Sequence, residues 1–265
     1  MTKRPFLLAA MLAFMASLPA DEAPNAPIEI VAGAGRTPPA LCLESSAEDV
    51  LRACRSMLPR RPVELTGSLI RRNRKGIVSS EHDYRLTMRR GDDVSLLSVR
   101  LFPHGKTNEV ASVTISRKRD ERPVIRLLRG GASETEIVES PLAHVLDTDV
   151  TWLDLTFDFL WWRSAAYEAE REGESIHGQK CKVILVRPDA PVDGLSAVRL
   201  WVDKKTGCLM QAEQVDADGK PARRLWGTRI KKFDGRWMAS ALEVETSGAR
   251  HRTKITVEGL RDLEP

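Results

Sequence analysis

Between Lys180 and Leu260 six strand-like runs follow one another with little except turn residues between them, and this stretch constrains the rest of the chain. The runs are Lys180 to Arg187, Ala197 to Asp203, Cys208 to Val215, Ala222 to Phe233, Arg236 to Thr246 and His251 to Glu258. Their connectors, Asp203 to Gly207, Asp216 to Gly219, Asp234-Gly235 and Ser247-Gly248, place Gly and Asp where a tight turn demands positive φ. Val198, Leu200 and Val202 alternate with Arg199 and Asp203, and Thr253, Ile255 and Val257 with Arg252, Lys254 and Glu258. The pattern is an antiparallel meander with one face turned to a core or cavity.

Strand signals also recur upstream, at Val63 to Ile70, Glu81 to Arg90, Val94 to Phe102, Val110 to Arg117 and Val124 to Arg129, with shorter candidates at Thr135 to Val138 and Ala166 to Glu174. No composition break separates the two groups, so a single sheet of about ten strands or more is expected. Flat, such a sheet would be nearly 50 Å wide at roughly 4.8 Å per strand, and sheets that wide curl or split. Curling produces a concave face that needs a cover.

Two segments qualify as the cover. Ser45-Ser-Ala-Glu48 fits a capping box, after which Val50, Leu51, Cys54, Met57 and Leu58 fall on one helical face before Pro59 and Pro62 stop the helix. Farther on, Thr151 is placed as an N-cap with Asp154 at the third helical position and Val150 with Leu155 as a hydrophobic staple, predicting a helix over Trp152 to Leu160 within the apolar segment that ends at Trp162. Leu153, Leu155, Phe157 and Phe159 also alternate with Asp154, Thr156 and Asp158, so a strand fits the middle of that segment. Helix is the reading adopted.

The ordered series Gly178-Gln-Lys-Cys181, Leu200-Trp-Val-Asp-Lys-Lys-Thr-Gly207, Asp216-Ala-Asp-Gly219, Phe233-Asp-Gly-Arg-Trp237 and His251-Arg-Thr253 resembles the LolA-like outer-membrane lipoprotein-sorting proteins. The resemblance implies a mainly β fold, a half-open barrel made of one curved antiparallel sheet with helices over its concave face. It implies a periplasmic, monomeric carrier of lipid or lipoprotein acyl chains that meets handover proteins at the inner and outer membranes. A module that holds such a chain without moving it needs the same cavity and is the alternative. Val50, Leu51, Met57, Trp152, Leu155, Phe159 and Trp161 are the residues expected to line or cap that cavity; a filled core is the competing account of the same aromatics.

Residues 1–20 have the order of a secretory signal, with Lys3 and Arg4, apolar Phe6 to Met15 and small residues up to Ala20. Residues 21–44, rich in Pro and Gly, read as a flexible leader, and 45–265 as the lipid-binding domain. Loss of the first 20 residues removes two cations and no acid, leaving a formal charge of +2, so nucleic acid is not an expected partner. In an oxidising compartment Cys42, Cys54, Cys181 and Cys208 are expected to form two disulfides. Four cysteines allow three pairings, and Cys42 with Cys54 and Cys181 with Cys208 is the one favoured.

The five histidines are scattered, and none stands at metal-ligand spacing from another. No nucleophile elbow, phosphate loop, HExxH or catalytic-cysteine context is present in the sequence, so neither an enzyme nor a metal or other cofactor is expected. Basic runs at Arg71 to Lys75, Arg117 to Arg119 and Lys231-Lys232 sit at strand ends. There they solvate a turn or guard a sheet edge, with anionic lipid headgroups as the functional alternative.

Overall fold

The computed structural model describes residues 45–264, apart from 60, 91–93, 119–120 and 234–235. The signal-like segment, the leader and Cys42 lie outside the described residues. The first half contributes helix α1 (Ala47–Ser56) and strands β1 (Val63–Asn73), β2 (Val78–Arg90), β3 (Val94–Pro103), β4 (Ala111–Lys118), β5 (Val124–Arg129) and β6 (Glu136–Ile137). A short helix α2 (Trp152–Thr156) and a 3₁₀ turn (Asp158–Trp161) follow. The second half adds β7 (Ser164–Tyr167), β8 (Ser175–Ile176), β9 (Gln179–Arg187), β10 (Ala197–Asp203), β11 (Leu209–Val215), β12 (Pro221–Phe233), β13 (Arg236–Thr246), β14 (His251–Thr256) and β15 (Gly259–Asp262).

All of these strands belong to one open sheet in the order β6-β5-β4-β3-β2-β1-β14-β13-β12-β11-β10-β9-β7, with β15 beside β1 and β8 beside β9. Each half is a meander built from local hairpins. The halves join at one seam, where antiparallel β1 and β14 set Leu69 opposite Ile255 and Arg71 opposite Thr253. Period-two alternation then puts Leu65, Leu69, Leu86, Val99, Leu101, Val113, Leu242, Val244 and Ile255 into one continuous core under the cover.

The lower part of β1 pairs with β15 instead, Leu65 lying opposite Leu260. The exchange of partners falls at Gly67. A Cβ there would lie 1.9 Å from the Thr256 carbonyl oxygen, which accepts a 2.7 Å hydrogen bond from the Tyr84 hydroxyl. No side chain fits at this crossing.

Three expectations are corrected. The N-cap of α1 is Ser46 rather than Ser45, with Asp49 closing the capping box: Ser46 Oγ accepts from the Asp49 N–H at 3.1 Å and Asp49 Oδ2 accepts from the Ser46 N–H at 2.9 Å. Both residue pairs have the right spacing, and the shorter acid makes the reciprocal bond. The helix from Trp152 does not run through to Leu160; Phe157, at φ 50° and ψ 34°, ends it in a left-handed conformation before the 3₁₀ turn.

The third correction is the Cys181–Cys208 bridge. Cys181 lies opposite Asp203 on β10, and the Asp203 N–H in turn donates to the Cys208 carbonyl, so β10 stands between the two cysteines. Two strand spacings come to about 10 Å, beyond the roughly 7 Å that a disulfide spans between Cα atoms. Cys54, Cys181 and Cys208 are free and buried.

Helix α1 rests on the β10–β11 turn, where a Cβ at Gly207 would meet Ala53 Cβ at 2.9 Å. Burial raises the Cys54 thiol to about 12 and the Cys181 thiol to about 11. It also holds Cys208 well above its ordinary value, with Asp203 and the neighbouring Cys54 adding to the effect. Such thiols are poor nucleophiles. In reduced protein at mildly alkaline pH these three should resist iodoacetamide until denaturant is added, and peptide mass analysis of native and unfolded samples checks this.

Candidate ligand-binding site

The segment from Asp147 to Trp162 covers the sheet and is held there by carboxylates. Thr151 caps α2 and Asp154 closes the box, its Oδ2 accepting from the Thr151 N–H at 2.8 Å. The same carboxylate faces the sheet. Arg223 Nη2 donates to Oδ2 at 2.6 Å and Gln214 Nε2 donates to Oδ1 at 3.1 Å. Gln214 and Arg223 are cross-strand partners on β11 and β12, so one pair of neighbouring residues reaches α2 together. All three side chains are buried.

A second anchor precedes the helix. The Thr253 hydroxyl donates to Asp149 Oδ2 at 2.9 Å and accepts the Asp149 N–H at 2.8 Å. His251 Nδ1 lies 2.6 Å from Asp149 Oδ1, and Arg71 Nε lies 3.6 Å from Oδ2. The loop is thereby tied to both strands of the seam.

The third anchor is Asp158, 2.5 Å from Arg117 Nη2 on β4 and accepting from Trp162 Nε1 at 3.1 Å. Burial pushes the Asp158 carboxyl above its usual value, against the opposing pull of Arg117. The Arg117 and Arg90 guanidinium groups lie 4.9 Å and 5.8 Å from the centroid of the Trp161 ring.

Between the cover and the β2–β3–β4 end of the sheet lies an apolar cavity of about 70 Å³. Its sheet wall is Met88, Leu96, Leu97 and Ile115, its cover wall Leu155, Phe157 and Trp161, and Leu58 closes it beyond α1. Arg90, Arg117 and Asp158 supply polar atoms at the side. A second void of about 10 Å³ sits deeper, among Leu69, Tyr84, Leu86, Val99, Leu101 and Ile255, and Leu155 is a wall of both. The larger cavity has room for a handful of waters.

Of the residues expected at the site, Leu155 and Trp161 line this cavity. Val50, Leu51, Met57, Trp152 and Phe159 are buried in the core around it, where Phe159 packs edge-on against Phe157 and Trp162 with ring centroids 5.8 Å and 6.4 Å away. Sequence reasoning missed Met88, Leu96, Leu97 and Ile115, which come from strands more than thirty residues ahead of the cover. The apolar side chains on both faces of Val94 to Phe102 were the available signal.

One open antiparallel sheet, crossed by a short acidic-aromatic cover over an apolar cavity, defines a LolA-like fold. Solved structures share it, among them the following three. A DUF1329 family protein from Desulfovibrio piger aligns with a TM-score of 0.69 and 16% identity over 82% of this chain and 91% of its own. A putative outer membrane lipoprotein-sorting protein domain from Vibrio parahaemolyticus aligns with a TM-score of 0.68 and 15% identity, covering 82% and 90%. A LolA superfamily protein from Nitrosomonas europaea gives 0.63 and 15%, covering 83% and 96%. Residues 139–262, the cover and the second meander, match a family model described as an uncharacterized protein. No curated protein matches the sequence.

Proposed function

We propose that this chain is a periplasmic binding protein for the acyl chains of lipids or lipoproteins, acting as a monomeric carrier of the outer-membrane sorting type. The cavity between the sheet and the Leu155–Trp161 cover carries the reading. In its closed form it is far smaller than a long acyl chain, so binding requires the cover to move. A chain of about 16 carbons gains roughly 12 kcal/mol on leaving water, at about 0.8 kcal/mol per CH₂, which offsets the loss of cover contacts. The site's part is binding rather than catalysis. Transfer to handover proteins at either membrane belongs to the same reading.

A fluorescent fatty acid titrated into the protein tests it. Wild-type protein should bind it, and Leu96→Glu, which puts a charge at the partly exposed cavity wall, should weaken binding at least tenfold with the thermal midpoint unchanged. Phe159→Ala should instead lose about 3 to 5 kcal/mol of stability, as a buried core aromatic does. Failure of the wild-type protein to bind any long-chain amphiphile would reject the proposal. Movement of bound chains from donor to acceptor vesicles separates a carrier from a module that only holds them.

A further inference from the structure

The β1–β2 hairpin tip, which the cavity does not use, has an unusual surface. Ile77 and Val78 are 61% and 45% exposed, adjacent large apolar side chains on a turn. Gly76, at φ +82°, has nothing within 4 Å of where a Cβ would stand, so the turn beside them faces open space. Around it stand Arg72, Arg74, Lys75 and, from the adjoining β13–β14 turn, Arg250. Among the described residues none of these four cations has a carboxylate partner, whereas Arg71 and Arg252 are matched by Asp149 and Glu243. Arg72 is also the cross-strand partner of Arg252, and the nearby carboxylate of Glu243 is taken up by Arg252.

The backbone of the tip is satisfied from within. Asn73 donates to the Ile77 carbonyl at 3.0 Å, Arg74 to the Arg250 carbonyl at 3.0 Å and Gly76 to the Asn73 carbonyl at 2.9 Å. Asn73 Oδ1 accepts from the N–H groups of Lys75 and Ile77 at 2.9 Å and 3.0 Å. Every N–H from residue 73 to residue 77 therefore has an acceptor inside the protein. Such a turn exposes no unmet backbone donor, which lowers the cost of bringing its apolar side chains against the acyl boundary.

We propose that this tip docks the protein on an anionic membrane surface, with Ile77 and Val78 in the interface and Arg72, Arg74, Lys75 and Arg250 at headgroup level. A convex two-residue apolar tip with no pocket suits the soft acyl boundary better than the shaped surface of a protein partner, and the unmatched cations select anionic lipid. The cavity wall at Arg90 is at the other end of β2, about 40 Å along the strand from Val78. Docking at the tip thus turns the cavity away from that bilayer, and acyl binding in solution does not depend on it.

Co-sedimentation of the full chain with vesicles of phosphatidylcholine, alone or mixed with phosphatidylglycerol, tests the proposal. Binding is expected to the mixed vesicles only, and to fall steeply as salt shortens the reach of the charges. Lys75→Gln with Arg250→Gln should weaken it about thirtyfold, from about 1 kcal/mol, or roughly fivefold, per cation. Ile77→Ser with Val78→Ser should weaken it about tenfold at unchanged charge. Both double variants replace exposed side chains and should keep the wild-type thermal midpoint and fatty-acid affinity. The proposal is overturned if the protein ignores anionic vesicles, binds both vesicle types equally, binds only acidic proteins, or binds vesicles regardless of the tip substitutions.

Discussion

Arg223→Met should be among the most damaging single substitutions in the molecule. It strands the Asp154 carboxylate, which is 3% exposed, facing Gln214 and the foot of α2 with no cation beside it. Removing one member of a buried ion pair costs about 3 to 5 kcal/mol, because the remaining charge keeps its desolvation penalty and loses its compensation. In a domain of this size that corresponds to a fall of about 6 to 20 °C in thermal midpoint. Arg223→Met combined with Asp154→Asn should recover more than half of the loss, since the amide carries no charge and still offers Thr151 an acceptor. Calorimetry on the two variants decides the matter. If the double variant is as unstable as the single one, the loss comes from packing around Arg223 and not from the buried charge.

The largest expected effect belongs to Gly67→Val, which should leave too little folded protein to purify. The added Cβ would sit 1.9 Å from the Thr256 carbonyl oxygen, a backbone atom that cannot rotate away. Relief would require β1 and β14 to separate at the seam between the two meanders, breaking the Tyr84 hydroxyl bond on the way. Losses above about 4 kcal/mol are exceptional and point to a mechanism of this kind. Gly219→Ala is the comparison. Gly219 has positive φ but open space around it, so only local strain of about 1 to 3 kcal/mol is expected. Equal effects of the two substitutions in urea denaturation would refute the close-approach account of Gly67.

Much of the meander was legible because its causes are local. Alternation of side chains and a Gly or Asp at each turn are enough to place β10 and β13 to the residue. The capping of α2 by Thr151 and Asp154 was equally legible, since both partners of that box lie within one turn of helix. Where two local solutions compete, the sequence decides less. Ser45 with Glu48 and Ser46 with Asp49 fit the same pattern, and geometry chose the second. Likewise the apolar run after Trp152 contains no glycine to mark its break, because the left-handed position is held by Phe157, buried against Phe159.

The sequence by itself determined most of the strands, the position of the cover and the antiparallel character of the sheet. Each of these rests on neighbours a few residues apart. It did not determine the short β8 and β15, which exist only as partners of β9 and β1. Only the tertiary structure decided which strands meet at the seam, why Gly67 must be a glycine and which residues wall the cavity. Asp154 finds Arg223 across 69 residues and Asp149 finds Thr253 across 104. No local periodicity encodes such pairings; they are selected by the joint burial of charge and apolar surface once both meanders have folded. The two basic side chains Arg72 and Arg252 show the same limit, since each reads as an ordinary solvated charge until β1 and β14 set them side by side.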